Sequence, residues 1–108
     1  MTADAMQAFA DPSRRAILDC LIRGERAVSE VVSTLGLSQP AVSQHLRVLL
    51  DAGLVTVRRD GRRRLYRPSS DGLEALRDEV ERYWQAAITQ MKQDLEPTDP
   101  TKGPSDAR

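Results

Sequence analysis

A chain of 108 residues has room for one domain, and a lone domain of that size buries only a modest share of its surface, so a partner subunit would help it. With 40% hydrophobic and 30% charged residues the composition is that of an ordinary soluble globular protein, and 4% aromatic content leaves the core to Leu, Val and Ala. Sixteen basic and sixteen acidic residues cancel, so net charge alone argues neither for nor against a nucleic-acid partner.

The distribution of charge says more. Between Ser38 and Arg67 seven arginines face only Asp51 and Asp60, whereas between Ser69 and Asp99 eight acids face only Arg77, Arg82 and Lys92. The basic half has the footprint of a phosphate-binding surface. A single cysteine, Cys20, excludes an internal disulfide. There is no signal-peptide pattern and no apolar run of spanning length, so a cytoplasmic protein without a membrane partner is expected.

In chain order, Asp4 to Ala10 reads as a short helix carrying Met6 and Phe9. Asp11-Pro12 starts a second, with Asp as N-cap and Pro where its missing N–H costs nothing. This helix runs to about Gly24 on an apolar stripe of Ile17, Leu18, Leu21 and Ile22. Ser29 is the expected cap of a third helix through Leu35, with Val31, Val32 and Leu35 inward and Gly36 supplying a left-handed end. Ser38 caps a fourth that runs to about Ala52, Pro40 lying in its first turn and Gly53 stopping it. Two helices joined by so tight a Gly-containing turn form a helix-turn-helix.

Leu54 to Arg58 and Arg63 to Arg67 are β-prone, and Asp60-Gly61 favours a tight hairpin turn between them. After Pro68, Ser69 or Ser70 opens a last helix through about Leu95, along which Leu73, Leu76, Val80, Tyr83, Trp84, Ala87 and Met91 recur at steps of three and four. Such a narrow seam suits packing against another helix. The fold class is therefore mainly α with a β-hairpin wing, a winged helix-turn-helix over residues 1–96, followed by a Pro-rich tail, 97–108, expected to be disordered.

On a wheel at about 100° per residue, Val42, Leu46 and Leu49 of the fourth helix face the core. Pro40, Gln44, Arg47 and Asp51 lie opposite, with Gln39, Ala41 and Ser43 toward the edges. The start of this face is polar, uncharged and short, as entry into a major groove requires. Gln can bond an adenine edge bidentately, Ser38 and Ser43 can bond a base or a phosphate, and Ala41 can touch a thymine methyl. His45 sits at the flank, where a packing role or a phosphate contact suits it. Arg58, Arg59, Arg62, Arg63 and Arg64 bracket the hairpin turn and project together toward double-stranded DNA.

The stretches Asp11-Pro12-Ser13-Arg14-Arg15, Leu37-Ser38-Gln39-Pro40-Ala41-Val42-Ser43-Gln44-His45-Leu46, Ala52-Gly53-Leu54-Val55 and Gly61-Arg62-Arg63-Arg64-Leu65-Tyr66 resemble the signature of the ArsR/SmtB family of bacterial repressors, over about Met6 to Leu95. The resemblance implies a homodimer joined through the first and last helices, with Met6 and Phe9 on one side of that interface and the last-helix seam on the other. It implies binding to an imperfect inverted repeat over a promoter, blocking transcription, with Gln39, Pro40, Ser43 and Gln44 at bases or phosphates and the wing in the flanking groove.

Many members of that family sense metals through a Cys-containing motif on the first helix of the helix-turn-helix or through His and Asp on the last helix. Here the corresponding run is Ser29-Glu30-Val31-Val32-Ser33, the last helix lacks His, and one Cys with one His does not make a soft-metal site. No metal and no cofactor are expected, and no motif identifies an effector ligand. A small-molecule pocket at Tyr83, Trp84 and Met91, or a redox role for Cys20, is the less favoured reading. A protein-binding module has no need of five arginines around one hairpin, and no nucleophile, base and orienting group stand at an enzyme's spacing.

Overall fold

The structure, a computed structural model, describes residues 2–95; the tail expected to be disordered, 97–108, lies outside them. The elements are α1 (Thr2–Ala10), α2 (Pro12–Ile22), α3 (Val28–Leu35), α4 (Gln39–Asp51), β1 (Val55–Asp60), β2 (Arg63–Pro68) and α5 (Ser70–Leu95). Two compact units divide the chain, Met1–Arg77 and Asp78–Arg108.

In the first unit, α2 starts as its sequence dictates: Asp11 is extended, and its Oδ2 accepts the Arg14 N–H at 3.0 Å. The helix buries Ile17, Leu18, Cys20 and Leu21, but Ile22, expected on the same stripe, is 63% exposed. At 3.6 residues per turn the buried arc runs from Cys20 through Ile17 and Leu21 to Leu18, and Ile22 falls about 40° beyond it.

Helix α3 begins two residues earlier than a Ser29 cap would place it. Ala27 is the N-cap and has no side chain to offer; the Glu30 carboxylate instead accepts the Ala27 N–H at 2.8 Å. Ser29 is an exposed first-turn residue rather than the cap. Val31 is fully buried, Val32 and Leu35 half-buried, and Gly36 ends the helix at φ +72°. The Ser38 Oγ accepts the Ala41 N–H at 3.2 Å and starts α4, which buries Val42, Leu46 and Leu49. With Ile17, Leu21, Val31 and Leu54, these three are the largest wholly buried side chains, each contributing about 1.5–3 kcal/mol through removal from water.

Strands β1 and β2 pair antiparallel from Val55↔Pro68 to Asp60↔Arg63. The two-residue loop is therefore Gly61-Arg62, one position later than the Asp60-Gly61 reading, because Asp60 still pairs in the ladder. Gly61 adopts φ +65°, which side chains resist and this tight turn requires. A feature absent from the local sequence signals widens the hairpin: Arg26 N–H donates to the Tyr66 carbonyl at 3.1 Å, and Tyr66 N–H donates back at 2.8 Å.

Helix α4, the hairpin and the start of α5 meet at one backbone junction. Leu54 N–H donates to the Leu49 carbonyl at 3.0 Å, and Ser69 N–H donates to the Leu54 carbonyl at 2.9 Å. The Ser69 Oγ accepts the Gly72 N–H at 3.0 Å, which makes Ser69 the cap of α5. Gly72 lies so close to Gly53 that a Cβ would fall 1.8 Å from the Gly53 carbonyl oxygen. Within this unit Leu76 of α5 is buried and Leu73 half-buried.

In the second unit α5 presents Tyr83, Trp84, Ile88 and Met91 as exposed large apolar side chains, with Val80 and Ala87 half-buried. Tyr83 and Trp84 meet edge to face, their ring centroids 5.7 Å apart. Among the described residues no helix is long and apolar enough to cross a membrane.

Candidate nucleic-acid interface

The sequence-predicted face of α4 is open. Gln39, Pro40, Ser43, Gln44 and Arg47 are exposed and Ala41 is half-buried, while the core positions of the same helix are closed to solvent. Ser38 is exposed too, but its hydroxyl is occupied as the helix cap. Arg47 reaches Asp51 at 3.9 Å with about three quarters of each side chain exposed, a pairing too loose and wet to withdraw its charge.

His45 occupies a different side of the helix. It is half-buried, and its Nδ1 stands 3.5 Å from Arg14 Nη1. A guanidinium only donates, so in a hydrogen bond at that contact Nδ1 is the acceptor. Arg14 also donates from Nε to the Ala8 carbonyl at 2.8 Å and from Nη2 to the Gln7 carbonyl at 3.3 Å, a cation on the free carbonyls of the end of α1. The signature arginine of α2 thus ties α1 to α2 and turns His45 toward them.

The wing arginines are not equivalent. Arg58 grips Glu25 bidentately, Nε to Oε2 at 2.8 Å and Nη2 to Oε1 at 2.9 Å. Arg63 Nη2 stands 2.7 Å from Glu30 Oε1. Arg59 and Arg62 are exposed and in no ion pair among the described residues, and the Arg64 guanidinium lies 6.0 Å from the centre of the Tyr66 ring. Sequence reasoning missed Glu25, Glu30, Arg26 and Tyr66; the only available signal was two acids flanking the start of α3 in a chain with a basic hairpin.

Between α4 and the wing lies an open groove of about 580 Å³. Ser43 and Arg47 form one wall, Arg64 and Tyr66 the other, and the start of α3 from Ala27 to Ser29 closes one end. Two guanidinium groups and three hydroxyls, those of Ser29, Ser43 and Tyr66, border one trough, an arrangement suited to a polyanion backbone.

Three carboxyl groups at these joints are held below their ordinary values. The Arg14 backbone N–H does this to Asp11, the Arg58 side-chain hydrogen bond to Glu25, and the Ala27 backbone N–H, aided by Arg63, to Glu30. A carboxyl with a lowered folded-state pKa contributes stability that is fully present above its ordinary value, here 3.8 for Asp and 4.5 for Glu, and is lost as pH falls through the folded value. The melting temperature should therefore hold steady above about pH 5 and fall below it, and Glu25→Gln with Glu30→Gln should lower the neutral-pH value and flatten the acid limb. An acid limb unchanged in the double variant, followed by circular dichroism, would show that these pairs carry none of it.

Comparison with known proteins agrees with this geometry. The family described as "Bacterial regulatory protein, arsR family" matches residues 11–57, from the cap of α2 through α4 into β1. The HTH-type transcriptional regulator Rv2034 of Mycobacterium tuberculosis is 49% identical over 85 residues, 79% of either chain. A probable mercury resistance operon repressor of Streptomyces lividans is 48% identical over 65 residues, 60% of this chain and only 52% of that one. Among solved structures, the homodimeric winged helix-turn-helix DNA-binding domain of Mb0332 from Mycobacterium bovis, described as a possible ArsR-family regulator, superposes with a TM-score of 0.62 at 31% identity, covering 84% of this chain and 82% of that one. With its capped recognition helix, basic hairpin and these relatives, the chain belongs to the ArsR family of winged helix-turn-helix transcriptional regulators and is not an enzyme.

Proposed function

We propose that the protein is a homodimeric repressor that binds an imperfect inverted repeat in a promoter. The start of α4 lies in the major groove and the arginine-rich wing on the flanking groove. The observation that carries this reading is the exposed, uncharged polar face of Gln39, Pro40, Ser43 and Gln44 on a helix whose Ser43 and Arg47 share one open trough with Arg64 of the wing. Uncharged amide and hydroxyl groups read base edges, and the arginines anchor the backbone on either side.

Two symmetric half-sites require two protomers, and α5 supplies a surface for joining them. The exposed stripe Tyr83, Trp84, Ile88 and Met91 is the kind of face a partner helix covers, and Phe9 of α1, 39% exposed, offers a second apolar contact. The homodimeric Mycobacterium bovis domain supports this assembly. Cys20 is a buried residue of α2, and His45 stands beside Arg14.

Base readout is tested by Gln44→Ala. Measured by gel shift against the protein's own upstream promoter duplex, the variant should bind about 1–3 kcal/mol more weakly, and discrimination should relax at one base pair of each half-site. Equal affinity and an unchanged base preference would remove Gln44 from the readout.

A further inference from the structure

We infer that the wing is divided by face: Arg58 and Arg63 are positioning residues pinned by Glu25 and Glu30, while Arg59 and Arg64, with Arg47 of α4, hold the DNA backbone in the trough beside the recognition helix. The inference rests on the DNA-binding function proposed above and assigns its phosphate contacts.

Side chains alternate across a β-ladder, and directly paired residues share a face. The register Thr56↔Arg67, Arg58↔Leu65 and Asp60↔Arg63 therefore puts Arg58, Asp60, Arg63 and Arg67 on one face. Glu25 lies against Arg58 and near enough to Arg67 to feel its charge, and Glu30 lies against Arg63. On that face Arg58, Arg63 and Arg67 stand with Asp60 and against Glu25 and Glu30, so much of their charge is offset and their net attraction for a polyanion is reduced.

The intervening pairs, Val57↔Tyr66 and Arg59↔Arg64, form the opposite face. Arg64 and Tyr66 of that face line the trough with Arg47 and Ser43. Arg59 lies directly across the ladder from Arg64 and is in no ion pair among the described residues, so this face keeps its positive charge. Exposed ion pairs contribute little individually, and the pins would not by strength alone resist a competing phosphate. Geometry decides the matter: Arg58 and Arg63 belong to the face whose own carboxylates repel phosphate, and the bidentate Glu25 grip fixes Arg58 there.

The partition is read from the salt dependence of binding, whose slope counts phosphates neutralised. With purified full-length protein and its upstream promoter duplex, Arg59→Gln with Arg64→Gln should flatten the slope of log affinity against log salt by about two for each bound protomer. Arg58→Gln with Arg63→Gln should lower the melting temperature and leave the slope as it is. Glu25→Gln with Glu30→Gln keeps every arginine and guards against misfolding of the pin variant; its slope should stay the same or steepen as the freed arginines gain phosphate. Equal flattening by the two arginine pairs, or a shallower slope in the glutamate pair, overturns the partition alone. A wild-type protein with no salt-sensitive binding overturns both the partition and the function beneath it.

Discussion

Gly72→Ala is expected to destabilise the fold by about 3 kcal/mol or more, against the ordinary direction of that substitution. In an exposed helix interior alanine is favoured over glycine by about 1 kcal/mol, so propensity alone predicts a more stable protein. Here the new Cβ would meet the Gly53 carbonyl oxygen at 1.8 Å, and the obstacle is backbone, not the end of a flexible side chain. Relief requires the first turn of α5 to move away from the end of α4. That movement strains the Ser69 to Leu54 hydrogen bond and the Ser69 cap. Thermal denaturation should show a loss of about 10 °C or more. A variant as stable as the parent would mean that the junction yields without cost and that α5 is not locked to the recognition helix.

Trp84→Ala is expected to weaken dimerisation by about 2–4 kcal/mol, roughly 30-fold to 1,000-fold in the dissociation constant. A tryptophan 56% exposed in the single chain, stacked edge to face on an exposed tyrosine and followed one and two turns later by Ile88 and Met91, has the makings of an interface anchor. Its truncation leaves Gln39 to Gln44 and the wing untouched, so DNA binding should fail at low protein concentration and recover when concentration restores the dimer. Sedimentation equilibrium gives the first quantity and gel shifts across protein concentration the second. A dimer as tight as the parent's would move the interface elsewhere.

What the sequence made legible is what short-range chemistry encodes. Asp11-Pro12 and Ser38 are caps because their side-chain oxygens reach an N–H three residues on, and both act so in the structure. Val42, Leu46 and Leu49 follow from the helical period and are the recognition helix's buried residues. The start of α3 is hidden from local signals because a serine outranks an alanine as a cap, whereas here Glu30 serves the same backbone from inside the helix. Ile22 is apolar like its neighbours, but it lies just past the buried arc of α2 and stays exposed.

The remaining features depend on partners far along the chain. Arg58 is 33 residues from Glu25, Arg63 a similar distance from Glu30, and Tyr66 pairs with Arg26 from the opposite side of the helix-turn-helix. A run of wing arginines therefore reads as uniform in sequence, and only the ladder register and the carboxylates opposite separate pins from free charges. The approach of Gly72 to Gly53 is likewise invisible locally, where a glycine in the first turn of a helix reads as a minor flaw.

The central claim, that this chain reads DNA as a symmetric pair of recognition helices, is most directly tested by hydroxyl-radical footprinting of the purified protein on its own upstream promoter. The account predicts two protected patches related by a dyad and about one helical turn apart, both diminished by Gln44→Ala. A uniform or absent footprint across that promoter would contradict it.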